Sequence, residues 1–243
     1  ISPQELTVTN ANPSVSAIFG TVAGVNFGLV MHIIGEGTVS YNPATNRFPS
    51  NAGVTLTATP KAGSVFTGWS GDVAGTQNPL TVTMNSNKTV TAKFVSLAVS
   101  STADTGPGSV RDAVEYAPAG SSIQVGISGE IQLTNGVLNI TRNLTIIGPG
   151  ATNLVVRIPN SPGRVFSVAT DATVGISGLT IADGSGYCGE GGNIYNEGTL
   201  TIDNCAITSG IAALGGGIYN AGTLSVNGST LAGMFTCNGG GFY

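Results

Sequence analysis

Along residues 28–94, apolar and polar positions alternate with the two-residue period of half-buried strands. Val54-Thr-Leu-Thr-Ala58 and Leu80-Thr-Val-Thr-Met84 put apolar side chains on one face and threonines on the other. Turn residues punctuate the runs at Gly35-Glu-Gly37, Asn42-Pro43, Lys61-Ala-Gly63, Gly71-Asp72 and Asn78-Pro79. The pattern predicts a β module over residues 28–95 with about five short strands.

The pattern changes near Ser96. Residues 100–108 read as a loop, and the stretch Ser109–Ala117 carries an apolar stripe at Val110, Ala113, Val114 and Ala117. Ser109 with Asp112 makes a capping box, and Pro118 and Gly120 end what is predicted as the only helix. Residues 96–120 are therefore assigned to a linker and this helix.

From residue 121 onward short apolar triplets recur. Leu138-Asn-Ile140 with Leu144-Thr-Ile146 is echoed by Val174-Gly-Ile176 with Leu179-Thr-Ile181, then by Leu200-Thr-Ile202 with Cys205-Ala-Ile207. Leu224-Ser-Val226 with Ser229-Thr-Leu231 continues the series. The motif Gly-Gly-x-Ile-Tyr sets Tyr195 and Tyr219 24 residues apart, and Gly240-Gly-Phe-Tyr243 falls on the same count. A period in the twenties with several short strands per copy marks a β-solenoid, whose turns bury their apolar sides only by stacking. Asn196 and Asn220 would then lie at equivalent corners and hydrogen-bond up the stack.

The first 20 residues echo the end of the module. Leu6-Thr-Val-Thr9 repeats Leu80-Thr-Val-Thr83, and Val15-Ser-Ala-Ile-Phe19 repeats Val90-Thr-Ala-Lys-Phe94. Residues 1–20 thus read as the closing hairpin of a preceding copy of the module.

Two resemblances follow. Gly35-Glu-Gly-Thr-Val39, Val54-Thr-Leu-Thr-Ala-Thr-Pro60, Phe66-Thr-Gly-Trp-Ser-Gly-Asp72 and Asn87-Lys-Thr-Val-Thr-Ala-Lys-Phe94 resemble, in that order, the internalin-type B-repeat of the divergent bacterial class. The resemblance implies a β-grasp-like spacer found in tandem on long secreted or cell-wall proteins, and no chemistry. Thr102-Ala-Asp-Thr-Gly-Pro-Gly-Ser-Val-Arg-Asp-Ala113 resembles the opening of right-handed parallel β-helices of bacterial surface proteins. That likeness implies that the helix at 109–117 caps the first turn. Adhesins, autotransported passengers, polymorphic outer-membrane proteins and pectate-lyase-like enzymes share this scaffold, so it does not name a function. The expected fold is all-β: a small β-grasp-like module, one short capping helix, and a right-handed parallel β-helix over residues 121–243.

Composition narrows the classes. Only 8% of residues are charged and 37 are glycine, while 41% are hydrophobic, which suits a thin repetitive core rather than disorder. A net charge of −4 with scattered Lys and Arg leaves no footprint for nucleic acid. No apolar run approaches the roughly 18 residues of a membrane span, the nearest being Phe27–Ile34. Ile1 opens directly on strand-type sequence and Tyr243 falls inside a repeat. These ends lead to the expectation of a trimmed or partial chain whose strand edges pair with copies of itself or with neighbouring domains.

Candidate chemistry is sparse. Trp69, Phe66 and Phe94 are expected in the module core rather than on a sugar platform, and Asp72 in a turn. Asp203 and Asn204 are expected to form a turn as well, and Glu197 takes the slot of Ala221 one turn on. Asp183 and Glu190 flank the Gly-rich insertion 184–192 beside Tyr187, the one place where carboxylates could gather as a hydrolase requires. Arg142, Arg157 and Arg164 are expected on earlier turns, away from those acids. Outward-facing Tyr195, Tyr219 and Tyr243 would line a glycan-binding groove, and inward-facing ones would be core. Three cysteines cannot all pair. Cys205 shares a column with Leu179 and Ser229 and is expected as a buried thiol, and Cys188 and Cys237 as free thiols two turns apart. No metal or cofactor is expected. The leading reading is a secreted, non-catalytic structural or adhesive surface element, with host or matrix glycans as candidate ligands and filament assembly as an extension. The alternative is a fragment of a polysaccharide lyase or glycoside hydrolase.

Overall fold

The computed structural model describes residues 24–159, 163–186 and 189–238. The hairpin expected at residues 1–20 lies outside them.

The module begins with β1 (Asn26–Phe27), β2 (Leu29–Ile34), β3 (Gly37–Asn42) and β4 (Phe48–Pro49). It continues with β5 (Ala52–Pro60), β6 (Ser64–Gly71), β7 (Leu80–Met84) and β8 (Lys88–Ser96). These are more strands than the pattern predicts, partly because β1 and β4 are too short for alternation to register. One sheet has the order β3-β5-β7 and is antiparallel throughout. The other has the order β2-β8-β6, with β2 parallel to β8 and β6 antiparallel to it. Alternation buries Val54, Leu56 and Ala58 of β5 against Val82 and Met84 of β7 and Val90, Ala92 and Phe94 of β8. Trp69 is only 4% exposed, packs on Phe66, and its indole N–H donates to the Gln77 carbonyl. It is a core residue, as the pattern indicated.

The second region is a parallel β-solenoid of about five turns. It starts with β9 (Ala98–Val99), followed by the helix α1 (Val110–Tyr116). The first turn holds β10 (Ser121–Val125), β11 (Gly129–Gln132) and β12 (Leu138–Ile140). The second holds β13 (Leu144–Ile147), β14 (Leu154–Arg157) and β15 (Phe166–Val168). The third holds β16 (Thr173–Ser177), β17 (Thr180–Ala182) and β18 (Ile194–Asn196). The fourth adds an extra side, with β19 (Thr199–Asp203), β20 (Ala206–Thr208), β21 (Ile211–Leu214) and β22 (Ile218–Asn220). The fifth holds β23 (Thr223–Asn227), β24 (Thr230–Ala232) and β25 (Phe235–Asn238).

Stacking of these turns makes three parallel sheets. Their orders are β9-β10-β13-β16-β19-β23, β11-β14-β17-β20-β24 and β12-β15-β18-β22, with β21-β25 as a small fourth. The register keeps apolar residues in columns: Val174, Leu200 and Leu224 are paired neighbours, as are Phe166, Ile194 and Ile218. Cys205 sits in such a column between the Leu179 and Ser229 positions and is 3% exposed. Burial pushes its thiol above the ordinary range, although backbone hydrogen bonds oppose the shift. At the corner after β22, Gly222 lies directly on the turn below, and a Cβ there would come within 2.0 Å of the Gly198 carbonyl oxygen. Only glycine permits that approach.

Helix α1 is capped by Ser109, whose hydroxyl accepts from the Asp112 N–H at 3.2 Å. Its buried residues Val110, Ala113 and Val114 belong to the solenoid core. A latch fixes the loop before it. The Asp104 carboxylate accepts from Arg111 Nε at 2.8 Å, from the backbone N–H groups of Thr134 and Asn135, and from both of their side chains. Arg111 also donates to the carbonyls of Gly136 and Val137. Burial alone would raise the Asp104 pKa, but hydrogen bonds from Arg111 and Asn135 outweigh it and hold the carboxyl below its ordinary range.

Candidate functional site

Strands β18 and β22 bury Ile194 and Ile218, so the intervening Tyr195 and Tyr219 point outward. Exact registry stacks the two rings with centroids 5.4 Å apart and planes 6° from parallel. Arg164, one turn earlier, places its guanidinium 4.6 Å from the centroid of Tyr195. The guanidinium is itself held by the Glu190 and Gly191 carbonyls, at 2.7 Å for the shortest contact. Tyr195 is therefore sandwiched between a cation and a second ring, presenting its edge and hydroxyl rather than a face. That hydroxyl donates to Glu197 Oε1 at 3.2 Å. Burial together with this carboxylate pushes the Tyr195 pKa up.

Two expectations about the basic residues need correction. Arg157 and Arg164 are not remote from the acids. Stacking brings residues about one period apart in sequence into direct contact. Arg157 Nε lies 2.8 Å from Asp183 Oδ2 in an ion pair, while its Nη1 contacts Glu130 Oε2 at 3.4 Å. The Asp183 carboxylate is thus engaged by a cation, and Arg164 is bound to the backbone of Glu190. Arg142 serves the helix instead, donating to the carbonyls of Glu115 and Ala117.

The Gly-rich insertion is built into the wall of the solenoid. Ser185 bridges Gly163 on one side and Ile211 on the other, and Glu190 bridges Leu214. Asn193, fully buried, accepts from the Gly184 N–H and donates to the Thr208 carbonyl, stitching the insertion to the next turn. Sequence reasoning overlooked Asn193, because an Asn directly after two glycines reads as a turn residue. Asn196 and Asn220 do form the expected ladder, with Asn196 Nδ2 donating to Asn220 Oδ1 at 2.6 Å. Asn204 adopts a left-handed φ of 52°, in keeping with the turn expected there.

Tyr187, Cys188 and Tyr243 lie outside the described residues. Among the described residues, no three His, Cys, Asp or Glu side chains are grouped so as to hold a metal ion. No helix among them is long and apolar enough to cross a membrane.

Residues 30–98 match the divergent InlB B-repeat domain family. Such domains occur in bacterial surface proteins, and a β-solenoid beside one fits a structural element of such a protein. No curated protein matches the chain, and no solved structure matches it.

Proposed function

We propose that this chain is a non-catalytic shaft of a secreted bacterial surface protein, the B-repeat module acting as spacer and the solenoid as an adhesive rod. The observation that supports it most is the fate of Asp183 and Tyr195. Asp183 is tied to Arg157, and Tyr195 is covered on both faces, so side chains that a carbohydrate-active enzyme would turn toward a substrate are spent on holding neighbouring turns together. Glycans are the candidate ligands in this reading, meeting tyrosine edges and outward hydroxyls rather than an aromatic platform. Copies of the chain or neighbouring segments are the candidate partners, pairing at sheet edges such as β2, the end strand of its sheet among the described residues, where Val30 and Ile34 are exposed.

The test is incubation of the full chain with a panel of uronate-containing and neutral polysaccharides, following new reducing ends and unsaturated uronides, with a glycan array in parallel. Binding without turnover is expected. Turnover that Asp183→Asn or Glu190→Gln abolishes, with the circular dichroism spectrum unchanged, would replace the shaft by a lyase or hydrolase.

A further inference from the structure

The chain passes from the module to the solenoid through one residue. β8 ends at Ser96 and β9 begins at Ala98, leaving Leu97 alone between the two bodies. Its backbone is bound on both sides. The Leu97 N–H donates to the Gly63 carbonyl of the module, and its carbonyl accepts from the Gln124 N–H of the solenoid's first turn. Its side chain packs on the solenoid core. Ser96 tightens the same turn, its hydroxyl accepting from the Ala98 N–H at 3.1 Å and donating to the Ala98 carbonyl at 3.0 Å.

A second contact lies to one side of this connection. On β8, Ala92 and Phe94 face the module core, so Lys93 and Val95 face away from it. An outward valine on a small sheet would normally be exposed, yet Val95 is 4% exposed and belongs to neither hydrophobic core. Beside it, Lys93 Nζ sits 3.9 Å from the centroid of the Tyr116 ring at the end of α1. Helix and strand are in contact here. The outer face of the module sheet is thus a docking surface, and the capping end of the solenoid is what it carries.

We infer that the B-repeat module and the solenoid form one cooperative rod, locked by the doubly bonded Leu97 and by the Lys93–Tyr116 contact. A flexible spacer would show neither feature. With a hydrogen bond to each body from a single connecting residue, bending at the joint must break at least one of them, and rotation must pull Tyr116 from Lys93 and uncover Val95. The inference goes beyond the shaft reading and does not depend on what the rod binds.

The chain contains its own reporter, because Trp69 is the only tryptophan and lies in the module core. Urea unfolding of the full chain is followed by Trp69 fluorescence and by far-UV circular dichroism, which registers both bodies. The two midpoints should coincide in the natural chain and separate when Gly-Gly-Ser is inserted between Leu97 and Ala98. Separate midpoints in the natural chain would overturn the inference. So would midpoints that stay together after the insertion. Should the insertion variant fail to fold, hydrogen exchange on the natural chain decides. The Leu97 and Gln124 amides are expected to exchange as slowly as the amides of Ile146 and Val90, and rapid exchange at those two amides alone would sink the idea.

Discussion

In the module, Phe48, Trp69 and Phe94 arrive from three different strands and meet in one small core, whereas in the solenoid equivalent buried positions are refilled turn after turn by Leu, Ile and Val. The module has few core side chains, and several are large. The solenoid core distributes its burial over columns such as Val174, Leu200 and Leu224, where each member is backed by its neighbours. Stability in such a stack is close to a sum of turn and interface contributions. The module should therefore respond sharply to one substitution, and the solenoid only where a polar side chain does a job that no other turn duplicates.

The largest effect is expected from Trp69→Ala. It removes the ring that packs on Phe66 and leaves the Gln77 carbonyl without its indole donor. A loss of about 4 kcal/mol is expected, the usual range for truncating a buried large aromatic. The measurement is the urea midpoint by circular dichroism at unchanged slope. A loss below about 1 kcal/mol would mean that Trp69 is not the plug of the module and that its core resembles the redundant one.

Asp104→Ala is the solenoid's counterpart, at about 3 kcal/mol, because it strands the mostly buried Arg111. The pH dependence carries a sign. The folded carboxyl titrates below its unfolded value near 3.8. Its contribution is fully present above about pH 4 and is lost as the pH falls through the folded value. The gap between the natural chain and Asp104→Ala should therefore be constant near neutrality and close on acidification. A gap that widens on acidification would place the stabilising role of Asp104 elsewhere.

This latch also shows what the sequence conceals. Asp104 and Arg111 were visible as parts of an opening motif, but their partners Thr134 and Asn135 are some 30 residues on and carry no pattern of their own. The columns were legible because they repeat: Tyr195 over Tyr219 and Asn196 over Asn220 follow from a constant period, and Cys205 from its column mates. Contacts that occur once were not. Arg157 with Asp183, Arg164 over Tyr195 and Asn193 under the glycine insertion all join residues on adjacent turns of unequal length, where the period is broken and counting fails. The joint at Leu97 was illegible for a different reason, since two-residue β9 is too short to show alternation and the segment reads as linker.

Asn196→Ala is expected to cost least of the three, about 2 kcal/mol, and it tests the redundancy of the solenoid most directly. Asn196 is fully buried. Its Oδ1 accepts from the Gly198 N–H, and its Nδ2 donates to the Thr223 and Gly198 carbonyls and to Asn220. Truncation leaves several buried groups unsatisfied at once, each worth about 1–3 kcal/mol in isolation, but the corner can relax toward the next turn and recover part of that. If the ladder is a repeating device like the aliphatic columns, Asn220→Ala, at the more exposed rung, should cost clearly less than Asn196→Ala when both are measured by urea unfolding. Equal costs would mean that each rung acts alone. No cost at either would mean that water replaces the ladder and that the corners are held by the close Gly198–Gly222 stacking instead.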